Sequence, residues 1–386
     1  MALGGRTGSF NAKKSLFGEW KTTLGFMARG ILFIVGLFTL DHSLKFLLHP
    51  LFQRALIFDE YSGNMAHLAA KSEADIYVFG DSRAQSFYDP DIIQKVTGQT
   101  VFNGGLPARY MLYYSMAATL IERHHHAKYY VINISLNEFE HRNIEQRILP
   151  DISAFLPYQN ELSCYQEVLG KLKEYAVTLP LKEYIGLQFA LAKYTHIVAY
   201  RYNRSMVPIL RQAMGQLPES KNGFIPQLGM LSPSSKALPA LALEPELDAY
   251  AIEVFVDFIK RSQENGIHII LCIGPAYRQS NDFKLNAIEQ RNLLLTRELA
   301  QIMNVPMIEL FESDYSEFCD PRNYSDVFHL NRKGATIFSQ IFAEKFMELL
   351  AIRNPEEYRH SPFFPKIRRE QYLEQVPFLV ESRGHS

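Results

Sequence analysis

After residue 70, short apolar runs alternate with longer stretches of helical period. Residues 74–80 (ADIYVFG) are aliphatic and aromatic and end at glycine, which predicts a buried strand. The runs at 100–105 (TVFNGG), 128–135 (KYYVINIS), 267–274 (IHIILCIG) and 305–310 (VPMIEL) repeat that signature. Between them lie a short helix at 92–98 closed by Gly98, a longer one at 109–126, and the amphipathic stretches ELDAYAIEVFVDFIKRSQENG and NAIEQRNLLLTRELAQIMN. A closing helix follows Asn331, a residue suited to cap it. This β-α-β-α order predicts an α/β domain over 70–352, built on a doubly wound, mostly parallel five-stranded sheet.

The alternation stops over 141–245, a stretch rich in Tyr and Leu and punctuated by prolines from Pro150 to Pro245. Its composition predicts a mostly helical insertion suited to a lid or binding surface. The tail, 353–386, is polar, aromatic and proline-containing, and no chemistry is assigned to it.

The N-terminal fifty residues follow a different pattern. From Leu24 the chain is strongly apolar, with an uninterrupted core from Gly30 to Leu40. A membrane span needs about 20 mostly apolar residues, and Thr22 to Leu40 supplies the length if Arg29 snorkels to the interface. Arg6, Lys13, Lys14, Lys21 and Arg29 precede the core against one acidic residue, Glu19. The positive-inside rule then keeps the N-terminus in the cytoplasm and exports the rest. No small-residue cleavage site follows the core, so residues 1–50 read as a cytoplasmic N-terminus with an uncleaved single-pass anchor in the inner (cytoplasmic) membrane. The alternative is an amphipathic helix packed on the soluble domain.

Composition narrows the classes of partner. Over 386 residues the hydrophobic share is 47%, the charged share 21% and the formal net charge -1. No basic field suits nucleic acid. Cys164, Cys272 and Cys319 are odd in number and far apart, which fits neither a disulfide framework nor a metal site. Three consecutive histidines in RHHHAK (123–128) point in different directions on a helix and sit at its C-terminal end, where cations complement the dipole. No metal and no organic cofactor is expected. The Tyr-rich runs at 110–114 and 198–202 suit core packing, with sugar stacking as the alternative.

Ligands of open parallel sheets bind outside the carboxyl ends of the strands. Four polar or glycine clusters fall at such ends: Gly80-Asp81-Ser82-Arg83, Asn103-Gly104-Gly105, Asn137 with Glu138, and Asp326 with His329 before the last helix. A serine hydroxyl needs a base to take its proton, and imidazole has the pKa for neutral solution. A carboxylate must hold that imidazole in the right tautomer, and Asp326 and His329, three residues apart, share one turn. Developing oxyanion charge needs fixed donors, for which the backbone N–H groups of Ser82 and Gly105 and the Asn137 amide are candidates. Which of Gly104 and Gly105 donates is open at this stage. Arg83 is either a salt-bridged surface group or a substrate-binding residue for an acyl or anionic group beside Ser82.

These four blocks in this order resemble the SGNH (GDSL-like) hydrolase superfamily, and with the anchor the chain looks most like its DltD- and AlgJ-like branch. The resemblance covers blocks spread over 74–350 and leaves 141–245 uncovered. It implies a flavodoxin-like fold with Ser82 as nucleophile, Asp326 and His329 as the acid–base pair, and Ser82, Gly105 and Asn137 as the oxyanion hole. The third block departs from the family's Gly-x-Asn-Asp, since Ser135 replaces the glycine and Glu138 the aspartate. The implied function is an outward-facing serine esterase or O-acyltransferase acting on an acylated cell-envelope glycan or lipid-linked polymer. The rival is a catalytically silent fold that binds polysaccharide or partners a membrane-bound O-acyltransferase.

Overall fold

The computed structural model describes residues 24–44, 46, 64–139, 222–232, 247–277, 285, 287–311, 314–352 and 354–365. Except for 222–232, the expected insertion at 141–245 lies outside the described residues, as do the expected cytoplasmic N-terminus up to residue 23 and the tail from 366. The chain divides into two compact units, Met1–Ala55 with Thr178–Asn203, and Leu56–Val177 with Arg204–Ser386.

In the first unit, helix α1 (Leu24–Leu44) has 21 residues and a mean hydropathy of 1.7, long and apolar enough to cross a membrane. Phe26, Leu32, Phe33 and Phe38 along it are exposed.

The second unit is an α/β domain. Strands β1 (Ile76–Phe79), β2 (Val101–Asn103), β3 (Tyr129–Asn133), β4 (His268–Ile273) and β5 (Met307–Glu309) form one all-parallel sheet in the order β2-β1-β3-β4-β5. Each strand lies within a predicted run and is shorter than it. The helices are α2 (Asn64–Lys71), α3 (Ser82–Phe87), α4 (Pro90–Thr97), α5 (Met111–His124), α6 (Ala249–Glu264), α7 (Ala287–Ile302), α8 (Arg332–Leu350) and α9 (Pro355–His360). Apolar side chains on both sheet faces explain why the strands lack a polar alternation. On one face Ile76, Val78, Val131, Ile270 and Ile308 share a core with Phe338, Phe342 and Phe346 of α8. On the other, the Phe79 ring meets those of Tyr114 on α5 and Phe258 on α6, with centroids 6.4 and 6.1 Å away. Tyr113 and Tyr114 are fully buried, so that part of the 110–114 run is core. The run at 198–202 lies outside the described residues.

Local chemistry sets the helix ends. Asp89 caps α4 through the Asp91 N–H, and Gly98 closes it in the left-handed conformation at φ 70°. Asn331 caps α8 by accepting from the Gly334 N–H at 3.1 Å. Helices α3 and α9 are six residues each and were not predicted, because such lengths hold no periodic signal.

One buried side chain ties the sheet to α3. Asn103, at the end of β2, is fully buried. Its amide donates to the carbonyls of Ala84 at 2.8 Å and Tyr88 at 2.9 Å, and its oxygen accepts the Gly105 N–H at 2.9 Å. Removing it strands polar backbone groups in the interior. Asn103→Ala should therefore lower unfolding free energy by about 2–3 kcal/mol, read from denaturant unfolding of the detergent-solubilised full chain. A loss under about 0.5 kcal/mol would show that the amide is not what holds these groups.

Candidate active site

Strand order reverses at β1, which lies between β2 and β3, and ligand sites in doubly wound sheets sit at such switch points. The chain leaves β1 through Gly80, whose φ of 151° strongly favours glycine. A Cβ there would lie 2.6 Å from the Ala84 Cβ and 2.9 Å from the Asn133 Cβ. Asp81 then caps α3 by accepting the Arg83 N–H at 2.9 Å, so Ser82 is the first residue of that helix. Turn chemistry and serine placement are thus one structure. Glycine and aspartate make the turn, and the turn presents the serine.

Asp326 and His329, the expected acid–base pair, lie in the loop before α8. Asp326 Oδ1 accepts the N–H groups of Phe328 at 2.8 Å and His329 at 2.9 Å, which folds the loop around the carboxylate. The His329 Nδ1 lies 2.9 and 2.8 Å from the two Asp326 oxygens, and its Nε2 lies 2.8 Å from Ser82 Oγ. Partial burial pushes the Asp326 carboxyl up, but hydrogen bonds from the His329 ring and the two backbone N–H groups outweigh it and hold the carboxyl below its ordinary 3.8. An ionised Asp326 accepts a hydrogen bond from the Nδ1–H, which leaves Nε2 as the acceptor for the Ser82 hydroxyl.

Neither loop depends on this contact for its position. Asn331 is buried and donates through its amide to the carbonyls of Arg322 at 2.8 Å, Tyr324 at 3.2 Å and Gly229 at 3.3 Å. Residues 222–232 run as a strap between the two sides of the site. Asn103 N–H donates to Asn222 O at 2.8 Å, Ile225 N–H to Gln85 O at 3.1 Å, and Leu231 N–H to Tyr324 O at 2.7 Å.

The expected oxyanion donors fare differently. No hydrogen bond engages the Ser82 N–H among the described residues. The Gly105 N–H, expected to be a donor to substrate, is instead bonded to Asn103 Oδ1, and the Gly104 N–H donates to Val78 O at 2.7 Å. Glycine at 105 serves close approach, since a Cβ would meet the Gln85 nitrogen at 2.3 Å. Asn137 is half-buried beyond the end of β3, and its Oδ1 accepts the Ser135 hydroxyl.

Arg83 follows Ser82 at the start of α3, and its side chain is largely buried. Its Nε lies 3.6 Å from Asp81 Oδ2, and its Nη2 is buried without a hydrogen-bond partner among the described residues. Behind it, the Tyr88 hydroxyl bonds to Asn133 Oδ1 at 2.9 Å, and complete burial pushes that phenol well above its ordinary value. Burial likewise pushes the Cys272 thiol up to about 12, despite a hydrogen bond with Tyr88, so it stays protonated. Of the three histidines, His124 ends α5, and a ring nitrogen of His125 bonds to the Ala70 carbonyl.

Sequence reading missed three parts of this site: the Asn103 clamp, the strap at 222–232 and the Ser135–Asn137 pair. Asn103 was visible as a polar residue closing an apolar run. The other two rest on partners that no local pattern pairs. No protein-family model matches the chain, and no curated protein matches it.

Proposed function

We propose that the protein is a membrane-anchored serine esterase or O-acyltransferase of the SGNH type, acting on acyl esters of a cell-envelope glycan or lipid-linked polymer. The observation that carries this reading is the unbroken chain from Ser82 Oγ through His329 to Asp326, with links of 2.8 Å on either side of the imidazole. An imidazole oriented by a carboxylate and bonded to a hydroxyl is what activates serine toward a carbonyl. The resemblance in motif order and the strand order β2-β1-β3-β4-β5, shared with flavodoxin-like sheets, support it further.

The chemistry balances within these residues. Ser82 Oγ attacks the ester carbonyl as its proton passes to His329 Nε2, giving a tetrahedral oxyanion. Collapse breaks the ester C–O bond, and His329 returns the proton to the departing alkoxide. The product is an acyl-serine. Water or a sugar hydroxyl then repeats the two steps in reverse, giving hydrolysis or transfer through the same intermediates. The Ser82 N–H and the Asn137 amide are the donors proposed for the oxyanion.

Helix α1 and the basic residues before it support a single-pass anchor with the catalytic domain outside the cytoplasm. Such a domain meets envelope polymers and can work beside a membrane-bound O-acyltransferase.

With p-nitrophenyl acetate as acyl donor, Ser82→Ala and His329→Ala should each lower kcat by at least about 10³-fold, and the double variant should be no worse than either. Asp326→Asn should cost on the order of 10²- to 10⁴-fold, since it favours the wrong tautomer. Wild-type turnover by Ser82→Ala would leave the silent, polysaccharide-binding scaffold as the reading.

Orientation has its own test. Alkaline phosphatase fused to the C-terminus should be active in cells. Fluorescence from a reporter that folds only in the cytoplasm would reverse the topology.

A further inference from the structure

The loop after β3 is held from both sides, yet the side chain it presents has a freedom the loop cannot remove. Ser135 to Glu138 form a turn closed by the Glu138 N–H on the Ser135 carbonyl at 3.0 Å. The Leu136 carbonyl accepts from the amide of buried Asn292 on α7 at 2.6 Å, and Asp248, at the start of α6, donates its N–H to the Phe139 carbonyl at 2.8 Å. The backbone around Asn137 is therefore fixed. Its terminal torsion is not, because an amide end rotates on a broad and roughly two-fold potential. One rotamer turns the N–H donors toward a given acceptor. The other offers a carbonyl oxygen, which repels it.

In the structure the Ser135 hydroxyl bonds to Asn137 Oδ1. That engages the oxygen end of the amide and leaves Nδ2 as the end to offer another acceptor. Both residues are half-buried, so the pair sits at the accessible edge of the sheet and not in the core. Glycine, which the resembling family carries at the position of Ser135, has no hydroxyl to do this.

We infer that Ser135 is a positioning residue. By donating to Oδ1, its hydroxyl keeps the oxygen end of the Asn137 carboxamide engaged, so that Nδ2 is the end left to donate to the oxyanion formed at Ser82. The inference rests on the proposed reading of Asn137 as an oxyanion donor. What appears in sequence as a departure from the motif becomes the device that makes the asparagine a fixed donor. Fixed donors stabilise developing charge without reorganising at the moment of reaction, and a donor free to flip loses that advantage.

The test is a double-mutant cycle on p-nitrophenyl acetate turnover by the detergent-solubilised full chain, with thermal midpoints recorded for every variant. Asn137→Ala should lower kcat by about 10²- to 10³-fold and Ser135→Ala by about tenfold, both with KM little changed. Ser135→Thr, which keeps a hydroxyl, should recover most of the loss. In the Asn137→Ala background, Ser135→Ala should have no further effect, because the hydroxyl then has nothing to orient. Should Ser135→Ala fail to fold, Ser135→Gly provides the same comparison with the residue the motif uses. Full activity in the Ser135 variants beside a slow Asn137→Ala overturns the positioning role alone. So does a tenfold loss that persists in the Asn137→Ala background. Wild-type turnover by Asn137→Ala removes the oxyanion reading of that residue, and wild-type turnover by Ser82→Ala removes the enzyme reading altogether.

Discussion

Ser82 Oγ and His329 Nε2 meet at 2.8 Å across 247 residues of chain. A half-exposed hydrogen bond of this kind stabilises a fold by about 1 kcal/mol at most, so it does not bring the two loops together. They are brought together by buried polar groups that have no alternative. Asn103 holds α3 against the end of β2, and Asn331 holds the acid–base loop against the start of α8. Both amides are removed from water, and each unmade bond inside costs more than a made one gains. The site is therefore set by the penalty for leaving asparagines and carbonyls unpaired, and the serine–imidazole contact inherits its geometry from them.

The strap at 222–232 joins these two clamps. It bonds to Asn103 and Gln85 on the serine side and to Tyr324 and Asn331 on the histidine side. A shift of α3 relative to α8 would break hydrogen bonds on one side or the other. This explains how a short helix of six residues can hold a serine in place. The strap belongs in sequence to the stretch that separates the third strand from the fourth, so that stretch contributes directly to the site.

Much of the fold was legible because its signals are local. Five apolar runs ended by polar residues or glycine became five parallel strands, and the Asn331 cap marked the start of α8 correctly. The placement of Ser82, Asp326 and His329 also follows from local features, since Ser82 lies at the carboxyl end of β1 and the other two just before α8. What was not legible depends on pairing across distance. Gly105 reads from sequence as an oxyanion donor because a glycine N–H is accessible in principle, but Asn103 two residues earlier has its oxygen buried there and accepts that N–H. Arg83 stands beside Ser82 in sequence, but its contact with Asp81 Oδ2 at 3.6 Å and the burial of its Nη2 depend on how the fold packs around the turn. Ser135 looked like a flaw in the motif until its hydroxyl was seen on Asn137.

The same residues that make the site also narrow its chemistry. Burial holds Cys272 and Tyr88 protonated, whereas the Ser82 hydroxyl is bonded to an imidazole, which is the contact the proposed chemistry uses. The central claim is that this one serine is activated. It is tested most directly by treating the detergent-solubilised full chain with a fluorophosphonate and mapping the adduct by peptide mass spectrometry. The account predicts a single stoichiometric adduct on Ser82 that is absent when His329 is replaced by alanine. An unmodified protein, or an adduct on another residue with Ser82 untouched, would contradict it.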